Sequence, residues 1–89
     1  MCRSIKTLFN FEPPATEEDI RAASLQFVRK LSGFAQPSRA NDATFAQAVD
    51  EVATAARKLI RSLKTQASPR NREVEAAKAR ERAKLRFQA

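Results

Sequence analysis

The apolar positions of this chain fall into groups with helical spacing. Ile5, Leu8 and Phe9 stand at i, i+3 and i+4, which predicts one or two helical turns with a single apolar face. Phe11 follows, and Pro13 and Pro14 end that element, because proline removes a backbone donor and the residue before it avoids helical geometry. From Glu17 onward, Ile20, Ala23, Ser24, Phe27, Val28 and Leu31 keep the 3.6-residue period, with Arg21, Arg29 and Lys30 off the stripe. Thr16 is the expected N-cap, and Asp19 stands three residues on, as in a capping box. Glu17, Glu18 and Asp19 place negative charge where the helix dipole favours it. Ser32-Gly33 ends the helix, since glycine readily takes the left-handed C-cap conformation.

A polar connection from Phe34 to Ala40 carries Pro37 and leads to Asn41, the expected cap of a second long helix. Phe45, Ala48, Val49, Val52, Ala56, Leu59, Ile60 and Leu63 form one stripe along it, with Asp50, Glu51, Arg57, Lys58 and Arg61 largely outside. The short connection makes the two helices antiparallel neighbours. Phe9, Phe11, Phe27, Phe34 and Phe45 are expected to share one core, since aromatic rings supply most of the core volume of a small chain. Ser68-Pro69 has the form of an N-cap and first helical position for a last helix. In that helix Glu75 with Lys78 and Glu81 with Lys84 stand at i, i+3. Its apolar side is mostly alanine until Leu85 and Phe87, which predicts weak anchoring. The fold expected is all-α: a short N-terminal helix, an antiparallel hairpin of about 17–32 and 42–64, and a basic C-terminal helix of about 69–87. The body would span 1–64 and the linker 65–68, leaving 69–89 for the basic helix.

Composition narrows the chemistry. The 89 residues suit one small domain with a thin core. Without histidine, and with one cysteine, the usual zinc sets and the Ser-His or Cys-His nucleophile pairs cannot be assembled within one chain. A single glycine leaves no glycine-rich phosphate loop. No carboxylate pair is spaced for acid–base work. The expectation is a protein that is not an enzyme, with no cofactor, metal or small-molecule substrate inferred. One cysteine makes no internal disulfide, no apolar run reaches the ~20 residues of a membrane span, and MCRSIKTLFNF lacks the core of a secretory signal. A cytoplasmic protein without membrane contact is expected.

The charge is uneven. Residues 1–64 carry ten Lys or Arg against seven Asp or Glu, a net of +3, while residues 65–89 carry seven against three, a net of +4. Arg70, Arg72, Lys78, Arg80, Arg82, Lys84 and Arg86 are therefore candidate contacts for nucleic acid or an acidic partner, since neutralised phosphates release counterions. The plainer reading is a solvated or protein-contacting helix, because Glu73, Glu75 and Glu81 are interleaved with the cations. Cys2 is a candidate reactive thiol, with Arg3 and Lys6 near it in sequence to lower its pKa; the plainer reading is a small residue near a frayed end. The leading expectation is an interaction module that binds a protein partner or itself through the stripe from Phe45 to Leu63. Nucleic-acid binding by the last helix is the alternative.

Two resemblances add to this. The opening MCRSIKTLFNFEPPAT, the SGF at residues 32–34 and REVEAAKARERA resemble a family of short bacterial proteins of unknown function. Members begin Met-Cys-Arg-Asn-Ile, and this chain has Ser4 at the asparagine position. The order of a short helix, PPATEEDIRAAS, a loop and DATFAQAVDEVATAARKLI is similar in architecture to the J-domain of Hsp70 co-chaperones. That resemblance implies a helical hairpin. The loop where the family places His-Pro-Asp reads Ser32-Gly33-Phe34-Ala35-Gln36-Pro37-Ser38.

Overall fold

The computed structural model describes residues 5–88, with Phe87 and Gln88 described in backbone alone. In chain order come β1 (Phe11–Glu12), α1 (Glu17–Ser32), a 3₁₀ turn (Arg39–Asn41), α2 (Asp42–Ser62), β2 (Arg70–Asn71) and α3 (Arg72–Gln88). The protein is all-α in class, with α1 and α2 forming an antiparallel hairpin. The two-residue strands pair in parallel, Phe11 opposite Arg70 and Glu12 opposite Asn71.

α1 begins and ends as its sequence dictates. Thr16 Oγ1 accepts from the Asp19 amide at 3.1 Å, and the Thr16 amide donates to Asp19 Oδ2 at 2.9 Å. At the other end Gly33 sits at φ +77° and donates its amide to the Arg29 carbonyl at 2.9 Å. α2 starts differently from the expectation. Asn41 holds the N-cap position, but its side chain donates to Ser38 Oγ at 3.0 Å instead of capping α2. The 3₁₀ turn already aligns the backbone, so the helix needs no side-chain cap there. α2 stops at Ser62, two residues before Lys64, because Leu63 is extended.

The first predicted helix is not formed: residues 5–8 have no helical structure, and Phe11–Glu12 is strand. A face of three residues is too short to offset helix nucleation. Asn10 decides the alternative. It adopts φ +65°, a region that asparagine tolerates better than most residues. Its carbonyl accepts from the Arg70 amide at 2.8 Å, and its Nδ2 donates to the carbonyls of Ser68 at 3.2 Å and Ala67 at 3.4 Å. This clasp joins the N-terminal arm to the segment after α2. It also moves the start of α3. Ser68-Pro69 does not open the helix, since Arg70 and Asn71 are held in the bridge; Asn71 Oδ1 instead accepts from the Val74 amide at 3.0 Å.

The hairpin core is small. Ile20 and Val28 of α1 and Val49 and Ala53 of α2 are the buried apolar side chains among the described residues. Ser24 is buried with them, its hydroxyl satisfied by the Ile20 carbonyl at 2.8 Å. The expectation of one phenylalanine core is corrected. Phe27 and Phe34 are 41% and 43% exposed, while Phe9, Phe11 and Phe45 are half-buried. Ile20, Val28, Val49 and Ala53 fill the buried apolar positions, and no phenylalanine is among them. The chain spans 43 × 38 × 18 Å with a radius of gyration of 15.7 Å, against about 12 Å for a compact domain of this length. It is flat and open.

Candidate functional site

Side-chain placement makes the hairpin two-sided. On one flank Glu17 accepts from Arg57 Nε at 2.5 Å and Nη2 at 2.7 Å, and from Arg61 Nη2 at 3.3 Å. The bond from Arg57 holds the Glu17 carboxyl below its ordinary pKa of 4.5, and the same bond raises the guanidinium. Arg21 pairs with Asp50 on this flank as well. Among the described residues the opposite flank has no such lacing. Helical geometry puts Phe27 of α1 and Val52 and Leu59 of α2 on that side, with Phe27 toward the hairpin tip and Leu59 toward its open end. Leu59 is 58% exposed, and Leu31, near the hairpin tip, is 72% exposed.

Between the N-terminal arm and α3 lies a cleft of about 450 Å³. Lys6, Arg70, Arg72 and Arg82 line it together with Leu8, Phe11, Asp19 and Glu75. Arg72 is committed within the fold: Nη1 donates to Asp19 Oδ2 at 3.1 Å and Nη2 to the Pro13 carbonyl at 3.2 Å. The Asp19 carboxyl lies below its ordinary 3.8, chiefly through the Thr16 amide, with Arg72 adding to it. Lys78 stands 3.7 Å from Glu75. Arg70, Arg80, Arg82, Lys84 and Arg86 make no ion pair among the described residues. The structure thus brings Arg70, Arg72 and Arg82 to one cleft and leaves Arg80, Lys84 and Arg86 away from it. The expected pairing of Glu81 with Lys84 is not formed. Cys2 lies outside the described residues.

Sequence reasoning missed the clasp at Asn10 and the tie through Arg72. A signal was present for one of them: an asparagine just before a proline-stopped segment is a residue suited to a left-handed turn. Nothing local marked Arg72, since its partners are 53 and 59 residues away in the chain. Among the described residues no three His, Cys, Asp or Glu side chains gather where they could hold a metal. No described helix is long and apolar enough to cross a membrane.

Fold and surface together define a small, flat helical-hairpin protein with a clasped N-terminal arm and an outlying basic helix. Residues 1–78 match the model of the uncharacterized conserved protein family DUF2277, and the chain belongs to that family. No curated protein and no solved structure matches it.

Proposed function

We propose that this protein is a small non-enzymatic interaction module whose apolar hairpin flank docks on a protein partner or on another copy of itself. One quantity carries the reading. A folded monomer of 10.0 kDa exposes about 5,200 Å² by the size scaling of compact proteins, whereas this chain exposes 7433 Å². The surplus of about 2,200 Å² is of the order that a specific protein–protein interface buries. The single cysteine supports a cytoplasmic setting. The Met-Cys-Arg-Ser-Ile opening is the proposed mark of the bacterial family. The J-domain likeness contributes only the hairpin shape, because Ser32 to Ser38 contain neither histidine nor aspartate.

The test is affinity purification from the native cell, with and without nuclease, alongside the mass of the pure protein. A specific co-purifying protein that survives nuclease, or a mass above 10.0 kDa, supports the reading. A pure monomer that brings down nothing overturns it.

A second reading rests on the convergence of Lys6, Arg70 and Arg82 on one cleft: non-specific nucleic-acid binding through the basic C-terminal segment. It requires retention on random DNA that declines steeply with salt and is lost when residues 69–89 are removed. Retention unchanged by the deletion rejects it.

A further inference from the structure

The apolar stripe of α2 divides in the folded hairpin. Val49 and Ala53 are buried against α1, with Ala56 and Ile60 half-buried on the same side. A second row runs beside it: Phe45, Ala48, Val52, Ala55, Leu59 and Ser62. These stand alternately three and four residues apart over more than two heptads, the spacing that presents one continuous seam to a second helix. Phe45, Ala48 and Val52 are half-buried, and Ala55, Leu59 and Ser62 are exposed. No charged residue interrupts the row.

We infer that this seam is the contact between two copies of the chain, with α2 lying antiparallel to α2 of the second copy across a two-fold axis near residues 53 and 54. This rests on the interaction reading above and names its partner. The order of side-chain sizes selects the arrangement. The large residues Phe45, Val52 and Leu59 occupy one heptad position, and the small residues Ala48, Ala55 and Ser62 occupy the other. Antiparallel, every layer sets a large side chain on a small one: Phe45 on Ser62 of the second copy, Ala48 on Leu59, Val52 on Ala55. The layers are then even in thickness, as close packing requires. Parallel, like meets like, and Phe45 on Phe45 would alternate with Ala48 on Ala48. That leaves voids at the alanines if the rings set the spacing.

Charge agrees with size. Glu51 and Lys58 flank the seam on one side, both exposed. In the antiparallel pair Glu51 of each copy comes beside Lys58 of the other, so two opposite-charge contacts form by symmetry. Lys58 makes no ion pair among the described residues of its own chain, and the neighbour of Glu51 is the uncharged Gln47, at 3.1 Å. The arrangement is isologous and closed, so it stops at two chains.

The experiment uses the full chain in sedimentation equilibrium over a wide concentration range. The expected result is a dimer of twice 10.0 kDa. Leu59→Glu abolishes it with unchanged helical circular dichroism, because that side chain is already exposed in the monomer. Glu51→Lys and Lys58→Glu each weaken association about tenfold, since each turns two weak attractions into repulsions; the double reversal restores it. For orientation, spin labels at Ser62→Cys in a Cys2→Ser chain stand about 26 Å apart along the seam if the pair is antiparallel. In a parallel pair they are side by side. A monomer at all concentrations, a dimer indifferent to Leu59→Glu, or adjacent labels overturns the inference. A photo-crosslinker at Ala55 separates this failure from the wider one. Capture of a different polypeptide removes the homodimer and keeps the interaction module, whereas a monomer that captures nothing removes both.

Discussion

Arg72 is the tie between α3 and the rest of the protein, and replacing it with alanine tests how α3 is held. The guanidinium bonds to Asp19 in the first turn of α1 and to the Pro13 carbonyl in the arm. The ion pair is part-exposed, with side-chain accessibilities of 40% and 33%, so it is treated as a screened surface pair of about 0.5 kcal/mol. The charge-assisted bond to the carbonyl adds about 1 kcal/mol. Their sum of about 1.5 kcal/mol corresponds to roughly a tenfold shift in the docking equilibrium of α3. That shift is large for this element, whose contacts centre on β2, and whose Val74 and Leu85 are exposed. Asp19 keeps its bond to the Thr16 amide when Arg72 is gone, so α1 is not directly disturbed.

Hydrogen exchange read by mass spectrometry gives the answer by segment. In Arg72→Ala the Arg70 amide and the amides of α3 exchange about tenfold faster, while α1 and α2 stay within error of the parent. Arg80→Ala, which removes no ion pair seen in the fold, serves as the control. Unchanged exchange in α3 would refute the tie. Equal acceleration of all three helices would refute the separateness of α3, since Arg72 would then belong to the cooperative core.

Three further outcomes are expected. Thr16→Ala removes the side-chain half of the capping box, the bond that Thr16 Oγ1 accepts from the Asp19 amide, and lowers stability by about 1 kcal/mol, read as a reduced urea midpoint at constant slope. Gly33→Ala lowers it by about 1 kcal/mol, with Gly33→Asn milder; a Cβ there meets nothing within 4 Å, so the whole effect is the φ of +77°. Glu17 and Asp19 have folded-state pKa values below 4.5 and 3.8, so their stabilising contribution is complete above those values and is lost as the pH falls through the lower, folded ones. Urea midpoints therefore fall below about pH 4 in the parent and fall less steeply in Glu17→Gln; parallel curves would show that the Arg57 bond does not carry this dependence.

Much of the hairpin could be read from local signals. Thr16 with Asp19 and Gly33 fix the ends of α1, because caps are settled by residues a few positions apart. The phenylalanine core could not be read this way. Periodicity marks which residues share a face, but the packing of α1 on α2 decides which of them lie between the helices, and on α1 Val28 is buried there while Phe27 is not. The N-terminal helix failed for a related reason. Ile5, Leu8 and Phe9 have the right spacing, yet Asn10 gains bonds to Ala67, Ser68 and Arg70 that no window of local sequence contains. Of the basic candidates, Arg72 bonds within the fold to Asp19 and Pro13, while Arg70 and Arg82 line an open cleft, and local sequence separates none of the three.

The division of the α2 stripe links stability to association. A stripe wide enough for one partner helix is served by α1 alone, and this one is wider: Val49 and Ala53 face inward while Leu59 and Ala55 face out. The inward row is thin, with Ile20, Val28, Val49 and Ala53 its only buried apolar members among the described residues. Fully burying a valine or isoleucine contributes about 1.5–3 kcal/mol, so the inward row by itself offsets little of the backbone ordering of two long helices. Covering the outward row in a dimer adds stability that depends on chain concentration, and the thermal midpoint must then rise as the protein is concentrated. Leu59→Glu should make that midpoint independent of concentration while the ion-paired flank at Glu17 and Arg57 remains intact. A midpoint indifferent to concentration in the parent would mean that the inward row, thin as it is, suffices.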